Sequence, residues 1–237
     1  MDYYDILTEG ISNELYVERI VYGRSWIAAE LSGGRYGIAL HDALQSRGRM
    51  FPTLEGLPAR EAAGAVRSWN LLEASEAMAV INAFYNTPER LHKLGALCDY
   101  DKSCTRGMVT EGKKIALIGH MSLQPDALNG AREVCIIERS PKPGDYPDSA
   151  CEYLLPGCDI VIITASAAIN KTLPRLLELS KNAETIIIGP TTPMCPELKT
   201  LGIARLSGMV VRGKEAFERW TLEKPGSPYP YGDVFMI

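Results

Sequence analysis

The first part of the chain alternates short apolar stretches with turn residues. Three strand-like stretches, YVERIVYG, SWIAAEL and RYGIALH, lie between Leu15 and His41. They are separated by Gly23-Arg24-Ser25 and Ser32-Gly33-Gly34, which are spacings suited to hairpin turns. The pattern therefore predicts a three-stranded antiparallel meander.

Helical spacing follows the meander. Ala59–Trp69 and Leu71–Tyr85 are predicted to be helices, and in the second of them apolar residues recur every three or four positions on one face. Thr87-Pro88-Glu89 supplies a capping hydroxyl, a first-turn proline and an acid, which predict a further helix to about Ala96. Together these elements predict a small N-terminal α+β domain over residues 1–97.

After residue 113 the pattern changes to apolar runs of strand length. The runs are Lys114–Gly119, Glu133–Glu138, Asp159–Thr164, Thr185–Gly189 and a weaker one around Ile203–Val211. They are rich in Ile and Val with few polar interruptions, as strands covered on both faces are. The segments between them have about the length of crossover helices. The fold class is therefore α/β, with a Rossmann-like, doubly wound parallel sheet over residues 114–237.

Two further segments have no helical or strand period. Residues 98–113 (CDYDKSCTRGMVTEGK) are polar and predict a linker between the two domains. The tail Lys224–Ile237 is rich in proline and aromatic residues, and we expect it to form an extended arm that packs onto the body.

Composition narrows the class of protein. The 237 residues carry 25 Lys and Arg against 29 Asp and Glu, and this mild acidity argues against nucleic acid as a partner. No apolar run approaches the roughly 20 residues that span a bilayer, which argues against a membrane partner. The first residues also lack the apolar core of a secretory signal. We therefore expect a soluble, cytoplasmic protein.

The cysteines and histidines give little support to a metal site formed by protein ligands alone. None of the six cysteines forms a Cys-x-x-Cys pair, and there are only three histidines. The densest group of potential ligands is Cys98, Asp99, Asp101 and Cys104, but it lies in the predicted linker and contains no histidine. We expect reduced thiols.

Polar residues follow the predicted parallel strands where each strand ends, which is where open parallel sheets collect ligands. Glu138 follows Gly119 by nineteen residues, close to the spacing of an acid that binds a ribose hydroxyl. The loop after Gly119 lacks the second and third glycines of a dinucleotide fingerprint, which argues against NAD or FAD. His120 is the best-placed titratable group, as a general base, a metal ligand, a hydrogen-bond donor or a structural histidine.

Two other strand ends offer candidate ligand residues. Gly189 is followed by Thr191, Thr192 and prolines that can open a helix, and the cap of this helix is either Thr192 or Cys195. The free N–H groups of the helix start would favour an anion. The alternative is that these residues only cap the helix. Ser166 and Asn170 lie in a run of small residues that leaves room for a ligand, or that forms a tight strand-to-helix connection.

The motifs taken together resemble those of a known family. GRSWIAAEL, RYGIALH and AMAVINAFYN, followed by KIALIGH, EVCIIERSP, DIVIITASAAINKT and IIIGPTTPM, resemble a family of unknown function described as "putative heavy-metal chelation". The resemblance covers about Ile20 to Val211. It implies an N-terminal domain similar to that of enolase, a Rossmann-like domain and a site in the cleft between them.

The resemblance also implies that Asn82 reaches this cleft. The cleft residues would then be Asn82, Gly119, His120, Glu138, Ser166, Asn170, Gly189, Thr191 and Thr192. Alternatively, Asn82 bridges helices as a buried amide, which is the commoner arrangement.

These residues favour one version of the family's function. A protein that binds a bare heavy metal should present convergent Cys and His ligands, whereas these loops are richer in hydroxyls and amides. We therefore expect an anionic small molecule, or a transition metal held by an organic chelator, with His120 and Glu138 as acid–base groups. Whether a reaction occurs is open, as is a homo-oligomeric state. The alternatives are a nucleotide-dependent enzyme that uses Glu138 for a ribose, and a non-catalytic interaction protein.

Overall fold

The chain forms two β-sheets with helices packed around them. The structure, a computed structural model, describes residues 1–42, 48–98, 105–121, 123–124 and 126–237. Among these residues, one sheet has three strands and the other has eight. The predicted α/β class, with a parallel sheet preceded by a small α+β part, is confirmed.

The smaller sheet is the predicted meander. Its strands β1 (Val17–Tyr22), β2 (Trp26–Leu31) and β3 (Arg35–Leu40) pair antiparallel in that order. Four helices accompany it, and their bounds are α1, Tyr3–Glu9; α2, Ala59–Gly64; α3, Leu71–Tyr85; and α4, Pro88–Lys93. The sequence pattern did not predict α1, which is capped at Asp2 by a reciprocal bond pair with Asp5. The helix start at Thr87 is confirmed, since its hydroxyl accepts from Arg90 N.

Helix α3 lies at the centre of the N-terminal part. The prediction of one apolar face was too narrow, because every residue from Glu73 to Tyr85 is buried. Strands β2 and β3 cover one side of the helix, and α2 and the helix Ser166–Ile169 contact other sides. The closest approach is at Gly37 of β3, where an added Cβ would lie 2.0 Å from the backbone nitrogen of Ala83. Glycine is required there because the strand contacts the helix backbone directly.

The larger sheet contains all five predicted parallel strands. They are β5 (Lys114–Ile118), β6 (Glu133–Glu138), β8 (Ile160–Thr164), β9 (Glu184–Ile188) and β10 (Ile203–Val211). The full strand order of this sheet is β4-β11-β10-β9-β8-β5-β6-β7. Wherever two of the five predicted strands are adjacent in this order, they pair in parallel. Alternate residues of these strands fill an apolar cluster on each face of the sheet, which explains their continuous apolar sequence.

Three strands extend this sheet beyond the prediction. They are β4 (Leu97–Cys98), β7 (Tyr146–Pro147) and β11 (Gly232–Met236). The C-terminal tail is thus not only an extended arm, since β11 pairs antiparallel with β10 and with β4. Cys98, at the start of the predicted linker, belongs to β4, and residues 99–104 lie outside the described chain. The predicted domain limits and the similarity to enolase stay predictions.

The connections between the parallel strands carry fewer helices than predicted. The helices of this half are α5 (Cys151–Leu154), α6 (Ser166–Ile169), α7 (Leu173–Leu179) and α8 (Lys214–Glu223). The described residues between β5 and β6 contain turns and no helix. This connection includes Pro125, Asn129 and Gly130, which favour turns over helix. No helix among the described residues has the length and apolar character needed to cross a membrane.

Hydrogen bonds from the small sheet to α8 and to the segment after it fix the position of one sheet relative to the other. Arg19 of β1 donates to both carboxylate oxygens of Glu218 in α8, at 3.0 and 2.5 Å. The indole nitrogen of Trp26 donates to Gly226 O at 2.7 Å. The end of β3 lies against the loop after β9, where Leu40 N donates to Thr191 Oγ1 at 3.0 Å.

Candidate functional site

The sheet order places a crevice beside β5. Strand β5 lies between β6 and β8 in the sheet. The chain adds β6 on one side of β5 and later adds β8 on the other side, so the strand order reverses at β5. Ligands of open α/β sheets bind beyond the carboxyl ends of the strands at such a switch point. A cleft of about 610 Å³ lies at this place, and Leu40 and Asp42, at the end of β3, form part of its wall. Its volume is in the range of small-molecule sites.

Five of the predicted site residues line this cleft. They are Gly119, His120, Glu138, Ser166 and Asn170. The sheet brings them together because each follows the carboxyl end of β5, β6 or β8. Gly119 has a φ of +93°, and an added Cβ would lie 3.0 Å from Thr164 Cγ2 on the neighbouring strand. This position therefore requires glycine.

His120 is held by a carboxylate that the sequence did not single out. Its Nε2 lies 2.7 Å from Asp145 Oδ2, and that oxygen also accepts from Lys142 N at 2.7 Å. The backbone amide of Lys142 and the imidazole of His120 lower the pKa of Asp145. An ionised carboxylate can only accept, so Nε2 carries the proton and Nδ1 is left for a ligand. The side chain of Asp145 is 6% exposed and that of His120 is 37% exposed.

Glu138 acts on the backbone in this structure. Its Oε2 accepts from His120 N at 3.0 Å, and its Oε1 accepts from Arg139 N at 2.8 Å. The carboxylate thus ties the loop after β5 to the end of β6. Each oxygen keeps a lone pair for a ligand, but in its present contacts Glu138 holds the backbone at the ends of β5 and β6 in place.

The polar side chains after β8 bond to near neighbours in the same connection. Thr164 Oγ1 and Ser166 Oγ lie 2.9 Å apart. Asn170 Oδ1 accepts from the amide of Thr172 at 3.1 Å and from its hydroxyl at 2.7 Å. The alternative of a tight strand-to-helix connection therefore describes Asn170 correctly, although both Ser166 and Asn170 also line the cleft.

Three basic residues line the cleft and differ in their partners. Arg175 is engaged by Glu152 through two bonds of 2.8 and 2.6 Å and by Glu178 at 2.7 Å. Lys171 donates to Val66 O, and burial, with the charge of Arg67, lowers its pKa to about 8. The guanidinium of Arg139 has no hydrogen-bond or ion-pair partner among the described residues, so it is the cation most available to a ligand.

Four predicted ligand residues do not line the cleft. Asn82 is buried and donates to Ile38 O at 2.8 Å and to Thr191 O at 3.0 Å. The hydroxyl of Thr191 accepts from Leu40 N at 3.0 Å, and Thr192 is fully buried. Gly189, which precedes them, is absent from the cleft wall as well. These residues join α3 and β3 to the loop after β9. Asn82 is a buried amide, as in the alternative interpretation, but it bonds to a strand and a loop rather than to another helix.

The predicted anion site at a helix start after Gly189 is also corrected. The segment that follows is a short 3₁₀ helix, Pro196–Leu201, and its cap is Cys195, the second of the two candidate caps. Cys195 and Met194 are fully buried, and Met194 N donates to Asn86 Oδ1 at 2.9 Å. The amides of this segment therefore face protein rather than a ligand.

The side chains do not fit a bare metal ion. Among the described residues, no group of three or more His, Cys, Asp or Glu side chains could hold one. Burial raises the pKa of the thiols of Cys135 and Cys151 to about 11 and that of Cys195 to about 12. Thiolates, which are the form that binds metals, are scarce at such pKa values. Of the linker group Cys98, Asp99, Asp101 and Cys104, only Cys98 lies within the described residues.

Two family models match the chain in succession. Residues 4–85 match one model and residues 107–231 match the other, and both carry the description "Putative heavy-metal chelation". The first match covers the small sheet with α1 to α3, and the second covers the strands and loops that form most of the cleft.

Solved structures show the same architecture. A protein of unknown function from the DUF364 family of Desulfitobacterium hafniense DCB-2 is 36% identical, with a TM-score of 0.87 over 99% of this chain and 96% of that one. A second, from Pyrococcus horikoshii, shares the fold at 24% identity, with a TM-score of 0.80 over 99% and 98% of the two chains. An uncharacterized protein of Methanocaldococcus jannaschii is 35% identical over 102 residues, which are 40% of this chain and 39% of that protein.

Proposed function

Since the chain belongs to the family described as "Putative heavy-metal chelation", we propose that it binds a metal already held by an anionic organic chelator. The binding site is the cleft at the carboxyl ends of β5, β6 and β8, closed on one side by the residues after β3. The observation that carries the proposal is this cleft of about 610 Å³ at the switch point of the sheet.

The chelated form of the metal follows from the ligands in the cleft. A bare ion would need several convergent protein ligands, and the described residues contain no group of three. A chelator brings most of the ligands itself, and the protein then has to recognise an organic anion. A cleft of this size has room for such a molecule, whereas a bare ion would leave it almost entirely empty.

The charge of Arg139 favours an anionic ligand. Arg139 lines the cleft, and its guanidinium has no acidic partner among the described residues and can offer a planar pair of donors to a carboxylate. Arg175, by contrast, is already engaged by two acids. Arg139 is therefore the residue whose removal should weaken an anion most.

A panel of ligands tests the proposal by thermal shift and calorimetry. The panel contains copper(II) and nickel(II) as free ions, the same metals as citrate complexes, and metal-free citrate. Binding at about 100 times the Kd would add roughly 2.7 kcal/mol to the free energy of unfolding. We expect stabilisation by the complexes and little by the free ions at matched free-metal concentration.

Variants connect the result to the cleft. Arg139→Ala should weaken binding of the complexes about tenfold, the lower range for loss of one charge-assisted pair. Arg212→Ala is the matched control, because Arg212 is exposed and lies outside the cleft. Equal stabilisation by free ions and complexes, or equal binding by Arg139→Ala and wild type, would refute the proposal.

A nucleoside is the second candidate ligand, and the position of Glu138 favours it. Glu138 ends the strand next to β5, where dinucleotide-binding sheets place the acid that binds a ribose. Against it, both carboxylate oxygens already accept backbone amides, and the loop after Gly119 has no further glycine for a pyrophosphate. Nucleotides in the same panel decide between the two ligands. If no ligand of either class binds, the cleft is only a seam and an interaction protein is favoured.

A further inference from the structure

We propose, resting on the function proposed above, that His120 donates one ligand to the metal of the bound chelate through Nδ1, and that Asp145 is the residue that positions its ring. The cleft thus selects chelates that leave a coordination position open. This assigns a metal-contacting atom and a class of chelate that the family description does not specify.

The bonding of His120 is the arrangement found in metal-binding histidines. Such a histidine almost always donates its second ring N–H to a carboxylate or carbonyl, which fixes the tautomer and makes the free nitrogen more basic. Here Nε2 lies 2.7 Å from Asp145 Oδ2, so Nδ1 is the nitrogen with a free lone pair. His120 lines the cleft and is partly exposed, so an incoming ligand can reach the ring.

The surroundings hold the ring rigidly. The carboxylate side chain of Asp145 is 6% exposed, and its Oδ2 also accepts from Lys142 N at 2.7 Å, so the loop between β6 and β7 fixes the carboxylate. On the other side, Glu138 Oε2 accepts from His120 N at 3.0 Å. The backbone and the ring of His120 are thus each bound to an acid from a different part of the chain. A preorganised donor of this kind loses little entropy when it binds a metal.

One imidazole suits a chelated metal and not a bare one. Among the described residues, His120 belongs to no group of three metal-binding side chains, so the protein would fill one position and the chelator the others. A chelate with every position filled gives Nδ1 nothing to bind. The inference therefore separates two kinds of chelate that carry similar negative charge.

Copper(II) citrate is a suitable probe, because its own donors are oxygens and any coordinated nitrogen must come from the protein. Pulsed electron paramagnetic resonance detects the remote nitrogen of a coordinated imidazole. Cobalt(III) EDTA, whose coordination is complete, serves as the saturated anion. Calorimetry measures the affinity of both probes for the full-length protein and its variants.

Wild type is expected to bind copper(II) citrate with the signal of one imidazole. In His120→Ala and His120→Gln this signal should be lost and the affinity should fall at least tenfold. His92→Ala is the matched control, because His92 is exposed and lies outside the cleft, and it should behave as wild type. Asp145→Asn keeps an acceptor for Lys142 N and should lower the affinity about 10- to 100-fold with the fold intact.

Several outcomes would overturn the inference. If copper(II) citrate binds with oxygen ligands only, or if His120→Ala keeps the imidazole signal, His120 is not the ligand while the proposed function stands. Asp148→Asn shows whether a cleft carboxylate is the ligand instead. If cobalt(III) EDTA binds wild type as tightly as copper(II) citrate does, the cleft does not select chelates with an open coordination position. If Asp145→Asn binds copper(II) citrate as tightly as wild type does, Asp145 does not position the ring. If neither probe binds wild type, both the inference and the proposed function fail.

Discussion

Two asparagines, one in the last turn of α3 and one at its C-terminal cap, provide the sharpest test of how the two parts of the chain are joined. Asn86 Nδ2 donates to Thr192 O at 2.9 Å, and its Oδ1 accepts from Met194 N at 2.9 Å. Asn82, one turn earlier, donates from Nδ2 to Ile38 O and Thr191 O. Both side chains are buried, and both bind the backbone of the loop after β9. We predict that Asn86→Ala destabilises the protein more than Asn82→Ala does.

The expected magnitudes follow from the groups left without partners. Truncation of Asn86 strands the amide of Met194 and the carbonyl of Thr192, at about 1–3 kcal/mol each, so the expected loss is about 2–6 kcal/mol. Asn82 differs because its own Oδ1 is buried with no hydrogen-bond partner among the described residues. Its truncation removes that unsatisfied oxygen while it strands two carbonyls, so we expect a smaller loss of about 1–3 kcal/mol.

Urea unfolding followed by tryptophan fluorescence measures the free energy of unfolding of each variant. Asn182→Ala is the control, because Asn182 lies in an exposed turn, and it should stay within about 0.5 kcal/mol of wild type. If Asn82→Ala costs as much as Asn86→Ala, or if both behave as the control, these amides do not hold the loop. Asn82→Ala should also leave binding in the cleft unchanged, since Asn82 does not line it.

Three further predictions concern other parts of the chain. Gly37→Ala should lower the free energy of unfolding, measured with urea, by at least about 3 kcal/mol, because the added Cβ would meet the α3 backbone. Gly64→Ala should be neutral or stabilising, because its added Cβ meets nothing within 4 Å. Equal effects of the two substitutions would contradict the close approach of β3 to α3. Because the pKa of Lys171 is lowered to about 8, the unfolded state binds more protons between about pH 8 and 10, so the free energy of unfolding should rise with pH there. Lys171→Met should lack this part of the rise, and parallel curves for the two proteins at pH 7.5 and 9.5 would refute it. Arg175→Ala removes only exposed ion pairs, with Glu152 and Glu178, and should cost at most about 1 kcal/mol of unfolding free energy, so a larger loss would show that these pairs are structural.

The strands could be predicted from the sequence because burial on one or both faces leaves a direct pattern. The meander alternates apolar residues with turns, and Ile160–Thr164 or Glu184–Ile188 are almost continuously apolar because both faces of the sheet are covered. Helix α3 was located correctly for a similar reason. Its burial on all sides could not be inferred, because the rest of its surface carries Glu73, Ser75 and Glu76, which are residue types that are mostly exposed.

Pairing at the edges of the sheet left no comparable signal. Strands β4 and β7 have two residues each, too few to show any period, and β11 lies in a segment with several prolines. Their pairing depends on partners that are distant in sequence, such as Phe235 opposite Cys98. The turn-rich connection between β5 and β6 was predicted to be helical from its length alone, and length does not distinguish turns from helix.

The site was predictable to the extent that it depends on the sheet. His120 and Glu138 follow adjacent strands, and the rule for parallel sheets brings them together without any knowledge of side-chain contacts. Asp145 was missed because it lies in an irregular loop, KPGDYP, whose path is set by tertiary contacts. Arg139 was adjacent to a named residue, and its free guanidinium is visible only once the other cations are seen to be paired.

Gly189, Thr191 and Thr192 do not line the cleft, and the physical cause also explains where the cleft lies. All the parallel strands end at the same edge, but helix α3 covers the end of β9, where Asn82 and Asn86 bind the backbone that a ligand would otherwise contact. The ends of β5, β6 and β8 are not covered by α3 in this way, and the cleft lies there. The sheet therefore determines which edge can bind a ligand, and the packing of one helix determines which part of that edge stays open. Closure of the β9 end holds the two parts of the chain together, and this in turn keeps Leu40 and Asp42 in position as the wall of the remaining cleft.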